Sequence, residues 1–119
     1  MINIPKFLKS VPFAWNGVKL LFSSENNAKI HLLAMLVVVI SGFVLSFTEG
    51  EWLAVILCIG GVMALEAVNT AIEAVVDLAS PEVHPLAKKA KDVAAGAVLI
   101  FAACAIVVAG IILWKHLGS

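Results

Sequence analysis

The chain has 119 residues, of which 62% are hydrophobic and 13% are charged. Soluble domains are usually about half apolar and about a quarter charged, so this composition indicates a membrane protein. The formal net charge is zero, and no basic patch interleaved with aromatic residues is present, which excludes a typical nucleic-acid-binding protein. At this length we expect a single domain.

The cysteines and the N-terminal segment carry no processing or metal-binding signal. Cys58 and Cys104 each lie alone in an apolar run, which predicts packing roles rather than a disulfide or a metal site. Residues 1–24 contain no continuous apolar stretch and no A-x-A cleavage pattern. We therefore expect no signal peptide.

Residues 1–24 instead predict an amphipathic helix that lies in the membrane surface. Apolar residues recur there at helical spacing, with three lysines and Trp15 among them. Pro5 suits a first helical turn, whereas Pro12 is expected to kink or divide the helix. The alternative is a soluble amphipathic helix that packs on another domain, and this sequence contains no such domain.

Three transmembrane helices are predicted, over residues 28–47, 52–78 and 93–115. Each is long enough, at ~1.5 Å per residue, to cross most or all of a hydrocarbon core of ~30 Å. Residues 48–51 are expected to form a short linker between the first two spans. Ser80-Pro81 should end the second span, and Pro85 should open a short helix that continues into the third.

The positions of the lysines predict the orientation of the chain. Three lysines precede the first span and three lie in residues 82–92, whereas residues 48–51 contain two glutamates and no lysine. The positive-inside rule therefore places the N-terminus and the second connector in the cytoplasm.

The composition of the spans also bears on assembly. Small residues are frequent in them, and three helices enclose little interior, so we expect a homo-oligomer.

A stripe of polar side chains interrupts the second span, and it consists of Glu66, Asn69, Glu73 and Asp77. At 100° per residue all four project from one face of the helix, over about 16 Å. A carboxylate in hydrocarbon costs roughly 2.5–3.5 kcal/mol, and the span has no lysine or arginine to pair with it. We expect the stripe to face a neighbouring subunit or a water-filled cleft and to be functional.

The chemistry of the stripe points to a metal and a base. Carboxylates suit Mg²⁺, which also takes water and substrate phosphates as ligands. Glu66 lies deepest, in apolar surroundings, and is a candidate general base. Glu25 lies just before the first span, at a depth that allows it to join Glu73 around a metal. The structural alternative is that the carboxylates pair with Lys29 or Lys91 from neighbouring helices.

No nucleotide motif of soluble proteins is present. The sequence has neither a G-x-x-x-x-G-K-[ST] loop nor the signature set of protein kinases. Lys91 and Asp92, at the cytoplasmic mouth of the third span, are candidates to contact phosphate and adenine or ribose. Taken singly, each of these charges is better explained as part of a solvated membrane edge. The residues alone predict an oligomeric membrane protein with a metal-competent acidic cleft that faces the cytoplasm.

The run from Glu66 to Asp77, followed by residues 84–98, resembles the bacterial diacylglycerol kinase and undecaprenol kinase family. The shared pattern, E-x-x-N-x-x-x-E-x-x-x-D…H…A-K-D, is long, and the similarity extends over the surface helix, the three spans and both connectors. The resemblance implies an all-α homotrimer of three-span subunits in the bacterial cytoplasmic membrane. It also implies transfer of the γ-phosphate of ATP to a lipid hydroxyl, with Mg²⁺ as cofactor.

The resemblance further implies roles for individual residues. Glu66 would be the general base for the lipid hydroxyl, and Glu25 and Glu73 would be metal ligands that bridge to the ATP phosphates. The nucleotide site would consist of Lys6, Phe13, Glu25, Asn69, Glu73, Asp77, Glu82, His84, Lys91 and Asp92. The lipid substrate would contact Trp15, Lys29, His31, Glu66 and Trp114.

The sequence departs from the Gram-negative diacylglycerol kinases around the first span. Their pattern is roughly E-x-x-x-R-x-E, whereas this chain has Glu25-Asn-Asn-Ala-Lys29-Ile-His31. This arrangement and residues 80–88 are more similar to the undecaprenol kinases, so undecaprenol is the favoured lipid and diacylglycerol the alternative.

Two other functions compete with the kinase hypothesis. Intramembrane carboxylates also occur in proton and cation pathways, but the second span is wholly apolar from Leu53 to Leu65. The other competitor is a non-catalytic membrane subunit, in which the polar stripe would have no chemical role.

Overall fold

The computed structural model describes residues 1–118, and the regular secondary structure in this part of the chain is all α-helical, without strands. The helices are α1 (Ile4–Ser24), α2 (Asn26–Leu45), α3 (Glu49–Ala79) and α4 (Pro85–Leu117). Helices α2, α3 and α4 are each long and apolar enough to cross a membrane. The predicted all-α architecture with three membrane-spanning helices is confirmed.

Helix α1 is continuous through Pro12. Asn3 caps the helix, because its Oδ1 accepts the backbone N–H of Lys6 at 3.0 Å, and Pro5 lies in the first turn as predicted. Pro12 does not divide the helix, so this part of the prediction is wrong, whereas a kink at Pro12 stays a prediction. A proline removes only one hydrogen bond of the helical ladder, and on this exposed helix the carbonyl that loses its donor can be solvated.

The connection between α2 and α3 is shorter than predicted. Ser46 adopts a left-handed conformation (φ 56) and ends α2, with its N–H donating to the carbonyl of Gly42. Thr48 and Glu51 then form a capping box, in which each side chain accepts the backbone N–H of the other residue at 3.2 and 2.8 Å. Residues 49–51, expected in the linker, are therefore the first turn of α3. The T-x-x-E spacing was the signal for this helix start.

The second connector agrees with the prediction. Helix α3 ends at Ala79, directly before Ser80 and Pro81. Pro85 opens α4, and Nδ1 of His84 caps the helix by accepting the N–H of Leu86 at 3.1 Å. The polar segment after Pro85 and the third span form one helix of 33 residues.

Helices α3 and α4 make the most extensive contact in the molecule, and α2 packs against α3 over a smaller area. The ring of Phe101 lies against the backbone of Gly61, so closely that a β-carbon there would overlap it. An apolar cluster around Phe47, Val55 and Ile112 joins α2, α3 and α4 near the beginning of α3. The polar stripe lies toward the other end of the same helix.

A partly buried contact between Glu51 and His116 ties the beginning of α3 to the end of α4. Nε2 of His116 lies 2.8 Å from Oε1 of Glu51, and Nζ of Lys115 lies 3.8 Å from Oε2. The imidazole of His116 also stacks on Phe47, with the ring centroids 5.3 Å apart. No local pattern points to this pair, because its two residues are 65 positions apart.

Candidate active site

Glu66 is the most deeply buried carboxylate of the stripe, with 2% of its surface exposed. Its Oε1 lies 3.0 Å from Nε2 of His31, which α2 supplies. A carboxylate at membrane depth needs such a partner, because an unpaired buried charge is costly. Among the alternatives raised from the sequence, neither Lys29 nor Lys91 pairs with Glu66; the partner is His31.

Asn69 and Glu73 form the next part of the stripe. Nδ2 of Asn69 donates to Oε1 of Glu73 at 3.3 Å. Asn69 is buried, and its Oδ1 has no hydrogen-bond partner in residues 1–118. Glu73 itself is half-buried. The arrangement offers a carboxylate and an unpaired amide oxygen side by side.

Asp77 lies at the exposed end of the stripe and forms an ion pair with Lys91 of α4. Lys91 is thus paired with a stripe carboxylate, as the structural alternative allowed, although the carboxylate is Asp77 rather than Glu66. On α4, Lys88 and Asp92 form a second pair one turn apart, in which both side chains are well exposed. Because α3 is uninterrupted from Glu66 to Asp77, the four stripe residues keep the common face predicted for them.

The remaining residues that the resemblance places in the site lie on other elements. Glu25 is half-buried at the junction of α1 and α2. The others are exposed: Lys6, Phe13 and Trp15 on α1, Lys29 on α2, Glu82 and His84 in the second connector, and Trp114 on α4. In residues 1–118 no three histidine, cysteine or acidic side chains are close enough together to hold a metal. The roles assigned to these residues by resemblance stay predictions.

An apolar groove of about 190 Å³ runs between α2, α3 and α4. His31 contributes to its wall and links it to Glu66. The other lining residues are Ala34, Met35, Val38, Val55, Cys58, Ile59, Val62, Ala102, Ala105, Ile106, Val108 and Ala109. Apart from His31 and Cys58, these side chains are aliphatic or the thioether of Met35. The sequence did not predict this groove, because it depends on how three helices cross.

Comparison with known proteins assigns the chain to a family. The family model of prokaryotic diacylglycerol kinase matches residues 12–113. The chain belongs to the prokaryotic diacylglycerol kinase family. This assignment confirms the resemblance drawn from the stripe motif.

Three relatives illustrate the range of the prokaryotic diacylglycerol kinase family around this chain. Undecaprenol kinase of Bacillus subtilis (strain 168) is 44% identical over 100 residues, which cover 84% of this chain and 81% of the relative. Diacylglycerol kinase of Synechocystis sp. is 40% identical over 116 residues, covering 97% of this chain and 66% of the relative. Diacylglycerol kinase of Escherichia coli (strain K12) is 32% identical over 113 residues, with coverages of 95% and 93%.

Members of the prokaryotic diacylglycerol kinase family are membrane lipid kinases, so the chain is a lipid kinase that uses a nucleotide as phosphate donor. The polar stripe is therefore the candidate active site. Neither the proton-pathway hypothesis nor that of a non-catalytic subunit is supported by the named relatives.

The magnesium ion that kinase chemistry implies fits the residues of the stripe. Oδ1 of Asn69 is a buried acceptor without a donor, and it lies on the residue that hydrogen-bonds Glu73. Magnesium accepts oxygen ligands and usually takes only one or two protein carboxylates, with water and phosphates completing its shell.

Proposed function

We propose that this chain is an undecaprenol kinase, which transfers the γ-phosphate of ATP to the hydroxyl of undecaprenol in the bacterial cytoplasmic membrane. The observation that carries the proposal is the position of Glu66, buried and paired with His31 beside an apolar groove between three membrane helices. The lysine distribution supports an active site that faces the cytoplasm. The family resemblance supports a homotrimer, and the half-exposed Glu73 leaves room for a neighbouring subunit.

The chain's own residues can perform most of the reaction. The groove would hold the hydrocarbon tail of the lipid and bring its hydroxyl to the carboxylate of Glu66. Glu66 would take the hydroxyl proton as the lipid oxygen bonds to the γ-phosphorus and ADP leaves. A magnesium ion bound by Asn69, Glu73 and Glu25 would supply charge neutralisation on the ATP phosphates.

The nucleotide would lie at the exposed end of the stripe. Asp77 and Lys91 meet there across α3 and α4, and Lys91 is a suitable phosphate contact. Nδ1 of His84 accepts a hydrogen bond that caps α4. In neutral His84 the proton is therefore on Nε2, and this N–H can donate a hydrogen bond to the nucleotide. Glu82 and Asp92 lie in or near the same connector. Phosphoryl transfer depends mainly on positioning and charge neutralisation, which these groups provide.

We assign Lys6 and Phe13 to the same nucleotide site, and Trp15, Lys29 and Trp114 to the lipid. The first three of these residues lie on α1, whose side chains are exposed along nearly its whole length. An exposed helix with apolar and basic side chains is suited to the membrane surface, where both substrates are accessible.

The groove favours undecaprenol over diacylglycerol. Diacylglycerol carries two ester groups close to its reacting hydroxyl, and burying an ester oxygen without a donor is unfavourable. Among the side chains of residues 1–118 that line the groove, the imidazole of His31 and the thiol of Cys58 are the only polar groups. An isoprenoid alcohol brings no ester and suits such a wall. Sequence identity is 44% to the undecaprenol kinase of Bacillus subtilis, against 40% and 32% to the diacylglycerol kinases of Synechocystis sp. and Escherichia coli, so the preference for undecaprenol rests mainly on the groove.

The decisive experiment is a side-by-side assay of the purified protein in mixed micelles, with labelled ATP and Mg²⁺. We expect phosphate transfer to undecaprenol with a kcat/KM about tenfold above that for diacylglycerol, the discrimination that an apolar pocket can supply. Glu66→Gln should lower kcat by about 10²- to 10⁴-fold, because the base is lost. Transfer that favours diacylglycerol would overturn the lipid assignment, and no transfer to either alcohol would overturn the kinase proposal.

A further inference from the structure

We propose that His31 positions Glu66 for proton transfer, an inference that rests on the proposed kinase function. His31 lies on α2 and Glu66 on α3, and the contact between Nε2 and Oε1 measures 3.0 Å. The Glu66 side chain is 3% exposed, whereas that of His31 is 27% exposed. A buried carboxylate is thus held at one oxygen by a side chain that also forms part of the groove wall.

The hydrogen bond fixes the orientation of the carboxylate. Thr70 also approaches Glu66, but its Oγ1 donates to the backbone carbonyl at 2.9 Å and leaves the carboxylate unconstrained. With Oε1 held by the Nε2–H of His31, the carboxylate cannot rotate freely about its last bond. We assign Oε2 as the oxygen that meets the lipid hydroxyl.

Histidine suits this role better than a lysine would. A neutral imidazole donates one directional hydrogen bond and leaves the carboxylate its negative charge and its capacity to take a proton. Lys29 is two residues earlier and therefore about 200° around the helix, and its side chain is exposed. The ammonium group of Lys29 consequently lies on another side of α2, away from Glu66. The imidazole of His31 is the donor that faces Glu66.

The proton and electron balance does not require His31 to change its charge. The lipid O–H bond breaks and its proton moves to Oε2 of Glu66. The lipid oxygen forms a bond to the γ-phosphorus, and the bond from that phosphorus to the bridging oxygen of ADP breaks. His31 keeps its proton on Nε2 throughout, and Glu66 later releases the acquired proton to water. His31 is therefore a positioning residue that acts through Glu66.

The experiment compares His31→Gln with His31→Asn, which carry the same amide group on side chains that differ by one methylene. The amide nitrogen of Gln can occupy the place of Nε2, whereas that of Asn falls short of it. We expect kcat for lipid phosphorylation to fall about 10- to 100-fold in His31→Asn and His31→Ala. His31→Gln should recover most of that loss, and KM for MgATP should stay unchanged in all three variants.

The possible results separate this inference from the proposed function. A wild-type kcat in His31→Ala, equal losses in His31→Gln and His31→Asn, or a loss confined to KM for the lipid would each overturn the positioning role. Absence of transfer in the wild-type protein would instead overturn the kinase proposal. Circular dichroism and size-exclusion chromatography of each variant confirm that folding and assembly are retained. If His31→Ala does not fold, the Gln–Asn comparison decides the question.

Discussion

Glu66 and Asn69 are both buried polar residues on α3, but their hydrogen bonding differs. The carboxylate of Glu66 is paired with His31, whereas Oδ1 of Asn69 has no partner in the described part of the chain. A buried acceptor without a donor costs about 1–3 kcal/mol. That cost is understandable if the oxygen is reserved for a ligand that binds beside Glu73. Asn69 should therefore contribute to metal binding at the expense of stability.

Replacement of Asn69 by Leu tests whether this residue contributes to metal binding and lowers stability. The substitution removes both the unpaired oxygen and the hydrogen bond to Glu73. We expect the Mg²⁺ concentration that gives half-maximal activity to rise about 10- to 100-fold, as for loss of a group that supports a metal ligand. Thermal stability in detergent should be retained or increased, because a buried unsatisfied amide is replaced by an apolar side chain of similar size.

A matched control is Thr70→Val, which changes the adjacent polar residue. Within residues 1–118 its hydroxyl donates to the backbone carbonyl of Glu66 and contacts neither Asn69 nor Glu73 through a hydrogen bond, so the magnesium dependence should match that of the wild type. An Asn69→Leu protein with unchanged magnesium dependence would show that the amide has no part in metal binding.

At the level of the helices, α3 and α4 meet where glycine provides the space. The Phe101 ring occupies the position that a side chain at Gly61 would need. A β-carbon at Gly60, the neighbouring residue, would have no atom within 4 Å. Close approach of helices through small residues is the usual packing mode in lipid, where burial of apolar surface gives little driving force. The contact between the two helices should therefore be sensitive to volume at Gly61.

Gly61→Ala and Gly60→Ala form a pair of otherwise identical substitutions that tests this packing. Overpacking against Phe101 should lower the unfolding free energy of Gly61→Ala by about 1–3 kcal/mol. Gly60→Ala should be neutral or slightly stabilising, since alanine has the higher helix propensity, by about 1 kcal/mol. Thermal unfolding followed by circular dichroism in one detergent measures both. Equal stability of the two variants would contradict the proposed contact.

Across the whole molecule, carboxylate–histidine pairs join the helices at two levels of α3. Glu51 pairs with His116 at the beginning of the helix, and Glu66 pairs with His31 in its second half. The two glutamates are separated by about 22 Å along the axis. The first pair is surrounded by the aromatic and aliphatic cluster that includes Phe47. The second lies beside the groove and the stripe, so only the second is placed for chemistry.

His116→Ala should accordingly lower stability without changing catalysis. Its loss removes the hydrogen bond to a buried carboxylate, which we expect to lower the unfolding free energy by about 1–3 kcal/mol. Values of KM and kcat should match the wild type, since the proposed active site is distant. Thermal unfolding and the lipid-kinase assay of the same sample measure the two effects separately.

Lys115→Ala is the comparison variant for this pair. Its amine is 3.8 Å from Glu51, and its side chain is 66% exposed, so the loss of stability should be smaller than for His116→Ala. A fall in kcat of His116→Ala at unchanged stability would show that the far end of α3 is coupled to the active site.

Local patterns in the sequence were sufficient for much of the architecture. Hydropathy and length identified three membrane helices, and Pro5, Pro81 and Pro85 marked helix boundaries correctly. Pro12 does not divide α1, and the capping box at Thr48 starts α3 at Glu49 rather than at the predicted residue 52. These errors concern single turns, in which one missing or added hydrogen bond decides the outcome.

The sequence by itself determined the helices, the common face of Glu66, Asn69, Glu73 and Asp77, and the family to which these residues point. Helical periodicity and residue chemistry are local properties, so they can be read without knowledge of the fold. Only the tertiary structure decided which side chain faces Glu66, that Glu51 meets His116, and that an apolar groove lies beside His31. These features depend on how α2, α3 and α4 cross, and helix crossing is set by side-chain packing between residues that are distant in sequence.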